Sequence, residues 1–498
     1  MTPRPIRPGR LRAGAMLLAL VWTLAACGSV APSATSAPSA PSTPAASAPV
    51  ASDGATPFPL PSIDLGGEIA PEAVTRHLEA LARIASDNGG IRTSGTPGYE
   101  ASVEYVAGEL RAIGWVVETP EFRLPTFREL PGATLQVVGG PTFTAGDDLH
   151  AMIYSADGEV TAEVATVGFE DSAGGRGDQG CDADDWDEFP AGSIALTPPG
   201  PCLRRDTVEH AQEAGAVGLV VANPAWEAGE ALRPTLLFPD GIGIPVISAI
   251  GEVGEALEDV ADDGTEVRIS VDTEIGTATV RNVVAQHGGD GPVVMLGAHL
   301  DSVLDGPGLN DNGSGVAAVL EIAHLLADAG HPGTIRVALW AGEEFGLHGS
   351  RAYATGGNLG DVAAYLNLDM LGSVNGVPMV YRNSGSPQGS QAISDFLIAW
   401  LRQAGVPAEP EDLGTGSDHY FFAEAGIPIG GIFSGATEEV SEEQAAATGG
   451  SQGDPMDPCY HRSCDTVGNV DAERVAVYAQ AAAAAAALLA GGELPGAQ

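Results

Sequence analysis

The spacing of apolar positions changes along this chain, and each change marks a different kind of folded segment. Over residues 72–85, Val74, Leu78, Leu81 and Ile84 recur at helical intervals, and Asn88-Gly89-Gly90 stops the run. A second helix is predicted over 99–113, after the turn-rich Thr93-Ser94-Gly95-Thr96-Pro97-Gly98, and 115–119 reads as a strand. From about Phe127 to Thr277 the texture becomes short strands and turns: a strand at 193–197, a helix at 207–213 and a buried strand at 215–223. From Thr279 onward, apolar runs of strand length (280–286, 293–297, 335–340 and 364–368) alternate with helical stretches such as 315–326. That alternation predicts an α/β fold, a largely parallel mixed sheet covered by helices on both faces. The alanine-rich run 475–489 is expected to be a packed terminal helix, because alanine is the best helix former.

At 498 residues the chain is too long for one typical core, so two domains are expected. Composition then bounds the partners. There are 66 acids against 22 bases, all of them arginine, for a formal charge of −44. Such a surface repels nucleic acid and anionic lipid, so no nucleic-acid partner is expected. Residues 1–26 read as an export signal: an arginine-rich start followed by the apolar run Ala15-Met16-Leu17-Leu18-Ala19-Leu20-Val21-Trp22, too short for a mature transmembrane span. It ends at Leu24-Ala25-Ala26-Cys27, which resembles a bacterial lipobox and implies acylation of Cys27, so the membrane is expected to be reached by a lipid anchor alone, the alternative being an ordinary signal peptide and a secreted chain. The Ala/Pro/Ser-rich segment 27–62 has the composition of a disordered linker.

Five cysteines are consistent with export. With Cys27 lipidated, local pairing of Cys181 with Cys202 and of Cys459 with Cys464 is the simple solution. A zinc-thiolate cluster from the four is the rival.

Candidate chemistry falls at strand ends. His299 and Asp301 follow Val293-Val294-Met295-Leu296-Gly297, Glu343 and Glu344 follow the run ending at Trp340, and Asp369 follows Ala364-Tyr365-Leu366-Asn367-Leu368. The crevice at the carboxyl ends of an open α/β sheet is where ligands bind. Buried carboxylates without partners are strongly disfavoured, so a cation is their natural compensation. Asn310-Asp311-Asn312-Gly313-Ser314-Gly315 and Cys459-Tyr460-His461-Arg462-Ser463-Cys464 complete the set.

These motifs resemble those of the M28 family of zinc aminopeptidases, from Asn88-Gly89-Gly90 to the C-terminal helix. The run Ala214-Gly215-Ala216-Val217-Gly218-Leu219-Val220-Val221 with Ile244-Pro245-Val246-Ile247-Ser248 resembles a protease-associated (PA) domain. The expected organisation is a peptidase domain in two parts, 63–126 and 278–498, around a small β-rich α/β PA insertion at 127–277.

The resemblance implies that His299, Asp311, Glu344, Asp369 and His461 hold two Zn2+ per chain, with Asp311 bridging. It makes Glu343 the general base, Tyr460 a donor to the developing oxyanion, and Asp311-Asn312 a cis peptide. Asp301 suits an acceptor fixing the His299 tautomer. The expected substrates are peptides with a free N-terminus. The resemblance departs at Thr415-Gly416, where a member without the insertion carries an arginine. His77, His150, His210, His287, His324, His331 and His348 read as solvated or structural, and His419 as a packing residue near the cleft. The rivals are a zinc carboxypeptidase or dipeptidase, which would need a cation for the substrate carboxylate, with Arg382 and Arg462 the candidates in the site region. A metal-free binding protein or a one-zinc glutaminyl cyclase ranks lower.

Overall fold

The computed structural model describes residues 65–492 apart from 131, 169–179, 227, 228, 230, 262, 290, 330–332 and 358. The expected leader, Cys27, the linker and His331 lie outside the described residues.

Thr96 shows why the first helices begin where they do. Its hydroxyl accepts from the Tyr99 amide at 3.4 Å, and Pro97 starts the helix Pro97–Ala112. Pro71 likewise opens Pro71–Asp87, there without a side-chain cap. The main sheet runs in the spatial order Val116–Glu118, Val283–Gly288, Thr334–Trp340, Val293–His299, Val362–Leu368, Ile429–Phe433, Met379–Tyr381, Glu409–Glu411. Thr334–Trp340, Val293–His299, Val362–Leu368 and Ile429–Phe433 pair in parallel, and antiparallel strands flank them, giving the expected mixed sheet.

Both faces are covered. Val294 and Leu296 join the core formed with helices Gly313–Ala329 and Ala472–Gly491, whereas Met295 packs with Trp340, Tyr353, Tyr365 and Phe422 in a separate cluster. Helix Ala472–Gly491 is long and apolar enough to cross a membrane by length and composition, but it is a core helix, buried against its neighbours.

One expected strand is two. The run 280–286 breaks at Asn282, between Thr273–Arg281 and Val283–Gly288. The buried Asn282 side chain accepts from the Ala341 amide at 3.0 Å and donates to the Gly349 carbonyl at 2.9 Å, a contact invisible to periodicity.

The first of these two strands pairs antiparallel with Glu121–Glu129, from Arg281 opposite Glu121 to Thr273 opposite Glu129. This ribbon carries the chain to and from a second eight-stranded sheet, whose core strands Gly158–Thr166, Ile194–Thr197, Gly218–Asn223 and Val246–Ile250 are parallel. Helices Arg204–Glu213 and Gly251–Glu258 accompany it. The buried strand starts at Gly218, not 215, because Gly215 and Ala216 close the preceding helix by bonding back to Gln212 and Ala211. Cysteines pair locally, Cys181 with Cys202 and Cys459 with Cys464, so the zinc-thiolate alternative falls.

Candidate active site

The carboxyl ends of the parallel strands converge on one edge of the sheet, and the chemistry gathers there. His299 ends its strand, Asp369 follows Leu368, and Glu343-Glu344 follow Trp340 through Ala341-Gly342. Gly342 sits at φ +68°, and a Cβ there would lie 2.6 Å from Leu124, so this turn requires glycine. Asp311 enters just before helix Gly313–Ala329, and its bond to Asn312 is cis, as the resemblance implies. His461 arrives on a short loop closed by Cys459–Cys464 and adopts a left-handed φ of +57°.

The Asp311 carboxylate divides the cluster in two. Its Oδ1 is 3.0 Å from His299 Nε2, and its Oδ2 is 3.1 Å from His461 Nε2. On the first side, Asp369 Oδ1 lies 3.3 Å from His299 Nε2; on the second, Glu344 Oε2 lies 3.2 Å from His461 Nε2. Donor atoms of His299, Asp311 and Glu344 all fall within 4.8 Å of one another, as do those of His299, Glu343 and Asp369. The structure therefore brings together all five expected ligands and Glu343. Tyr460 stacks on His461 with ring centroids 3.8 Å apart and lines the same cavity. Asp301 stands behind His299: its carbonyl oxygen is 3.2 Å from Nδ1 and its carboxylate 3.7 Å, so the backbone is the nearer acceptor.

Charge is unbalanced here. Burial raises Glu343 well above the carboxylate range, and Glu344, Asp418 and Asp369 add to it against the pull of His299. Glu344 rises to about 7 by burial and by Asp311, although His461 opposes the shift. His461 itself is held up at about 10, since Glu344 and Asp311 outweigh its desolvation. Asp311 stays low despite burial because both imidazoles bond to it. Burial and the carboxylates keep the Tyr460 phenol protonated. Both the acid and the base of a pair being pushed upward signals an excess of negative charge, the condition a metal cation relieves. Glu344 Oε1, Asp369 Oδ1 and Asp301 Oδ2 are buried with no hydrogen-bond partner among the described residues. Imidazole and carboxylate donors with orphaned oxygens fit zinc.

Several supporting residues escaped the sequence reading. The fully buried Arg92 donates to the carbonyls of Leu300, Pro307 and Gly308, fixing the loop after His299. Burial pulls it down to about 10, with Asp301 acting in the other direction. Asp465 accepts from the amides of Asn310 at 2.8 Å and Asp311 at 3.0 Å. Ser417 Oγ donates to Asp369 Oδ2 at 2.6 Å. His419 stays out of the cluster: its Nε2 meets Asn383 and the Gly414 carbonyl, and its ring packs on Tyr381. Its neighbour Asp418 is within electrostatic reach of His299 and Asp369 and is raised by burial to about 7. No apolar spacing pointed to Arg92, Asp465 or Ser417, whereas His419 was already expected as a packing residue near the cleft.

The cluster opens into a cavity of about 850 Å³ with two kinds of wall. One is the strand-end edge; the other is the inserted domain, through Cys202, Leu203, Arg204, Trp226 and Arg233.

Comparison with known proteins agrees with this geometry. The model of peptidase family M28 matches residues 282–486 and that of the PA domain residues 160–257. The chain is 38% identical over 428 residues to the "Probable lipoprotein aminopeptidase LpqL" of Mycobacterium tuberculosis, covering 82% of this chain and 83% of that one. It is 38% identical over 427 residues to an aminopeptidase of Pseudomonas aeruginosa, covering 82% and 79%. Its fold is shared with an aminopeptidase from Aneurinibacillus sp. strain AM-1 (TM-score 0.67, 24% identity, 85% and 94% covered). A zinc aminopeptidase from Bacillus subtilis shares it too (TM-score 0.61, 23% identity, 84% and 94% covered). The chain belongs to peptidase family M28, as an aminopeptidase-type metallopeptidase carrying a PA domain.

Proposed function

We propose that the protein is a dizinc aminopeptidase that removes the N-terminal residue of peptides. The observation that carries this reading is the two-sided Asp311 carboxylate, with His299 and Asp369 on one oxygen's side and His461 and Glu344 on the other's. His299 and Asp369 would hold one zinc, His461 and Glu344 the second, and Asp311 both. Bound there, two zinc ions supply Lewis acidity that acidifies a water and polarises the scissile carbonyl. Glu343 takes the proton of the attacking water and delivers it to the leaving amine. Tyr460 donates its phenolic hydrogen toward the oxyanion. Asp301 orients His299 through its carbonyl and carboxylate. The carboxylate excess holds the substrate's N-terminal ammonium. Likeness to a relative named as a lipoprotein, together with Leu24-Ala25-Ala26-Cys27, supports export and a lipid anchor at Cys27.

The test is hydrolysis of leucine p-nitroanilide against its N-acetyl form, with zinc measured on the same sample. Cleavage of the free amine alone, with about two zinc per chain, is expected. Two zinc with neither compound cut would sink the aminopeptidase reading.

A further inference from the structure

The cavity that holds the catalytic cluster is rich in carboxylates, so its cations are informative. Arg233 lines it but is fully engaged: Nε and Nη2 meet the two Asp305 oxygens at 2.9 and 3.2 Å, Nη1 meets Glu129, and Nη2 lies 2.9 Å from His150. The two arginines that the sequence offered are elsewhere. Arg382 is held by Ser394 and Asp395, and Arg462 points one amino group at the Pro458 carbonyl. Arg204 differs from all of these. It lines the cavity from the PA domain, reaches solvent, and its guanidinium has no hydrogen bond or ion pair with any described residue.

The backbone beneath Arg204 is anchored. Cys202, two residues before it, is tied to Cys181, and Arg204 is the first residue of helix Arg204–Glu213. The next residue, Arg205, bonds the carbonyls of Phe238 and Asp240 and pairs with Glu209 at 2.7 Å. The atoms crowded around the Arg204 guanidinium lower its pKa, while Tyr460 acts the other way. A cation is thus held within electrostatic reach of the oxyanion donor, in the same cavity as the metal-type residues, with its donors free of any described residue.

We infer that Arg204 receives a carboxylate of the bound peptide, so that the inserted domain, not the peptidase sheet, selects short peptides whose C-terminal carboxylate lies a few residues from the scissile bond. The inference rests on the aminopeptidase reading above. A peptide is a zwitterion, and the carboxylate cluster that attracts its ammonium end repels its acid end. A guanidinium in the same cavity reverses that repulsion and can bind both carboxylate oxygens at once. An aspartate or glutamate side chain near the N-terminus offers the same group, so the chemistry recognised is the carboxylate.

The experiment compares kcat/KM for Leu-Gly-Gly, Leu-Gly-Gly-amide and Leu-Glu-Gly-amide in the zinc-loaded full chain and in Arg204→Gln, Arg204→Lys and Arg204→Glu. Thermal unfolding and zinc content establish that each variant is intact. The native enzyme is expected to favour Leu-Gly-Gly over its amide by about tenfold to hundredfold, as for one charge-assisted pair. Arg204→Gln abolishes the preference, Arg204→Lys keeps part of it, and Arg204→Glu inverts it. Equal rates for Leu-Glu-Gly-amide and Leu-Gly-Gly show that either source of carboxylate is read; a slow Leu-Glu-Gly-amide confines recognition to the C-terminus. Equal cleavage of acid and amide by the native enzyme, or a preference surviving Arg204→Gln, overturns the inference while leucine p-nitroanilide hydrolysis leaves the aminopeptidase reading standing. Failure on leucine p-nitroanilide overturns both.

Discussion

Histidine meets carboxylate at the strand ends and again among the helices, and only the first of these two places has the character of a metal centre. At the strand ends, His299 and His461 face Asp311, Asp369, Glu343 and Glu344, and buried carboxylate oxygens are left without a hydrogen-bond partner among the described residues. Among helices Pro71–Asp87, Pro97–Ala112 and Gly313–Ala329, His77 Nε2 lies 2.9 Å from Glu321 and Nδ1 2.6 Å from the Tyr105 hydroxyl. There Arg76 also reaches Glu321 at 2.9 Å, so the carboxylate is answered by a permanent cation. Glu109 and His324 stand close by, and His324 Nε2 has no hydrogen-bond partner among the described residues, but an imidazole nitrogen costs far less to leave bare than an ionised oxygen. The contact of histidine with an acid does not mark a cation site. An excess of buried negative charge over protein cations does.

Metal removal is the most forceful way to break this comparison. Chelation, or Asp311→Ala, is expected to abolish peptide hydrolysis and empty the site, and to lower the melting temperature, because a ligand held only by the native state adds about 2.7 kcal/mol at a hundredfold its Kd. Zinc titration followed by calorimetry checks both. Retention of two zinc by Asp311→Ala would remove Asp311 from the bridging role.

Glu343→Gln is expected to cut kcat by about a hundredfold to ten-thousandfold with zinc content unchanged. Loss of zinc along with activity would instead make Glu343 a ligand, a role its closeness to His299 and Asp369 also permits.

His77→Ala separates the second cluster from the first. Activity and zinc stay at native levels, while urea unfolding shows a loss of about 2–3 kcal/mol, since the packing of a fully buried ring and two hydrogen bonds disappear. A fall in zinc binding there would contradict the charge argument.

What the sequence conveyed follows the same physics. Strand-length apolar runs ending in His299, Glu344 and Asp369 were legible because burial and chemistry alternate along a single short segment. Residues whose work is done across the fold were not. Arg92 reaches carbonyls more than two hundred positions away, and Arg204 enters the cavity only because a whole domain folds over it. The expected strand 280–286 failed at Asn282 for the same reason, since its partners, Ala341 and Gly349, lie 59 and 67 positions further along the chain. His77 and His348, which the sequence left open as solvated or structural, are both buried, His348 pulled down to about 4 by desolvation.

A third meeting of histidine and acid sharpens the rule with the smallest effect. Glu129, at the end of the ribbon that leads into the PA domain, meets Arg233 and stands 3.7 Å from His150, and Arg233 continues to Asp305 of the peptidase part. Burial alone would raise Glu129, but its bonds to His150 and Arg233 prevail and hold it at about 2, against an ordinary 4.5. A carboxyl held low in the folded state stabilises only while ionised there. Its contribution is therefore complete above about pH 4.5 and fades as pH falls toward 2. Glu129→Gln should remove on the order of 2 kcal/mol at pH 6 and flatten the stability profile between pH 5 and pH 2 (ranges set by that shift). Hydrogen exchange should show the loss concentrated where the ribbon and Arg233 join the two parts. An unchanged acid limb in Glu129→Gln would show that this junction, unlike the charge-heavy strand-end cluster, contributes nothing that depends on its ionisation.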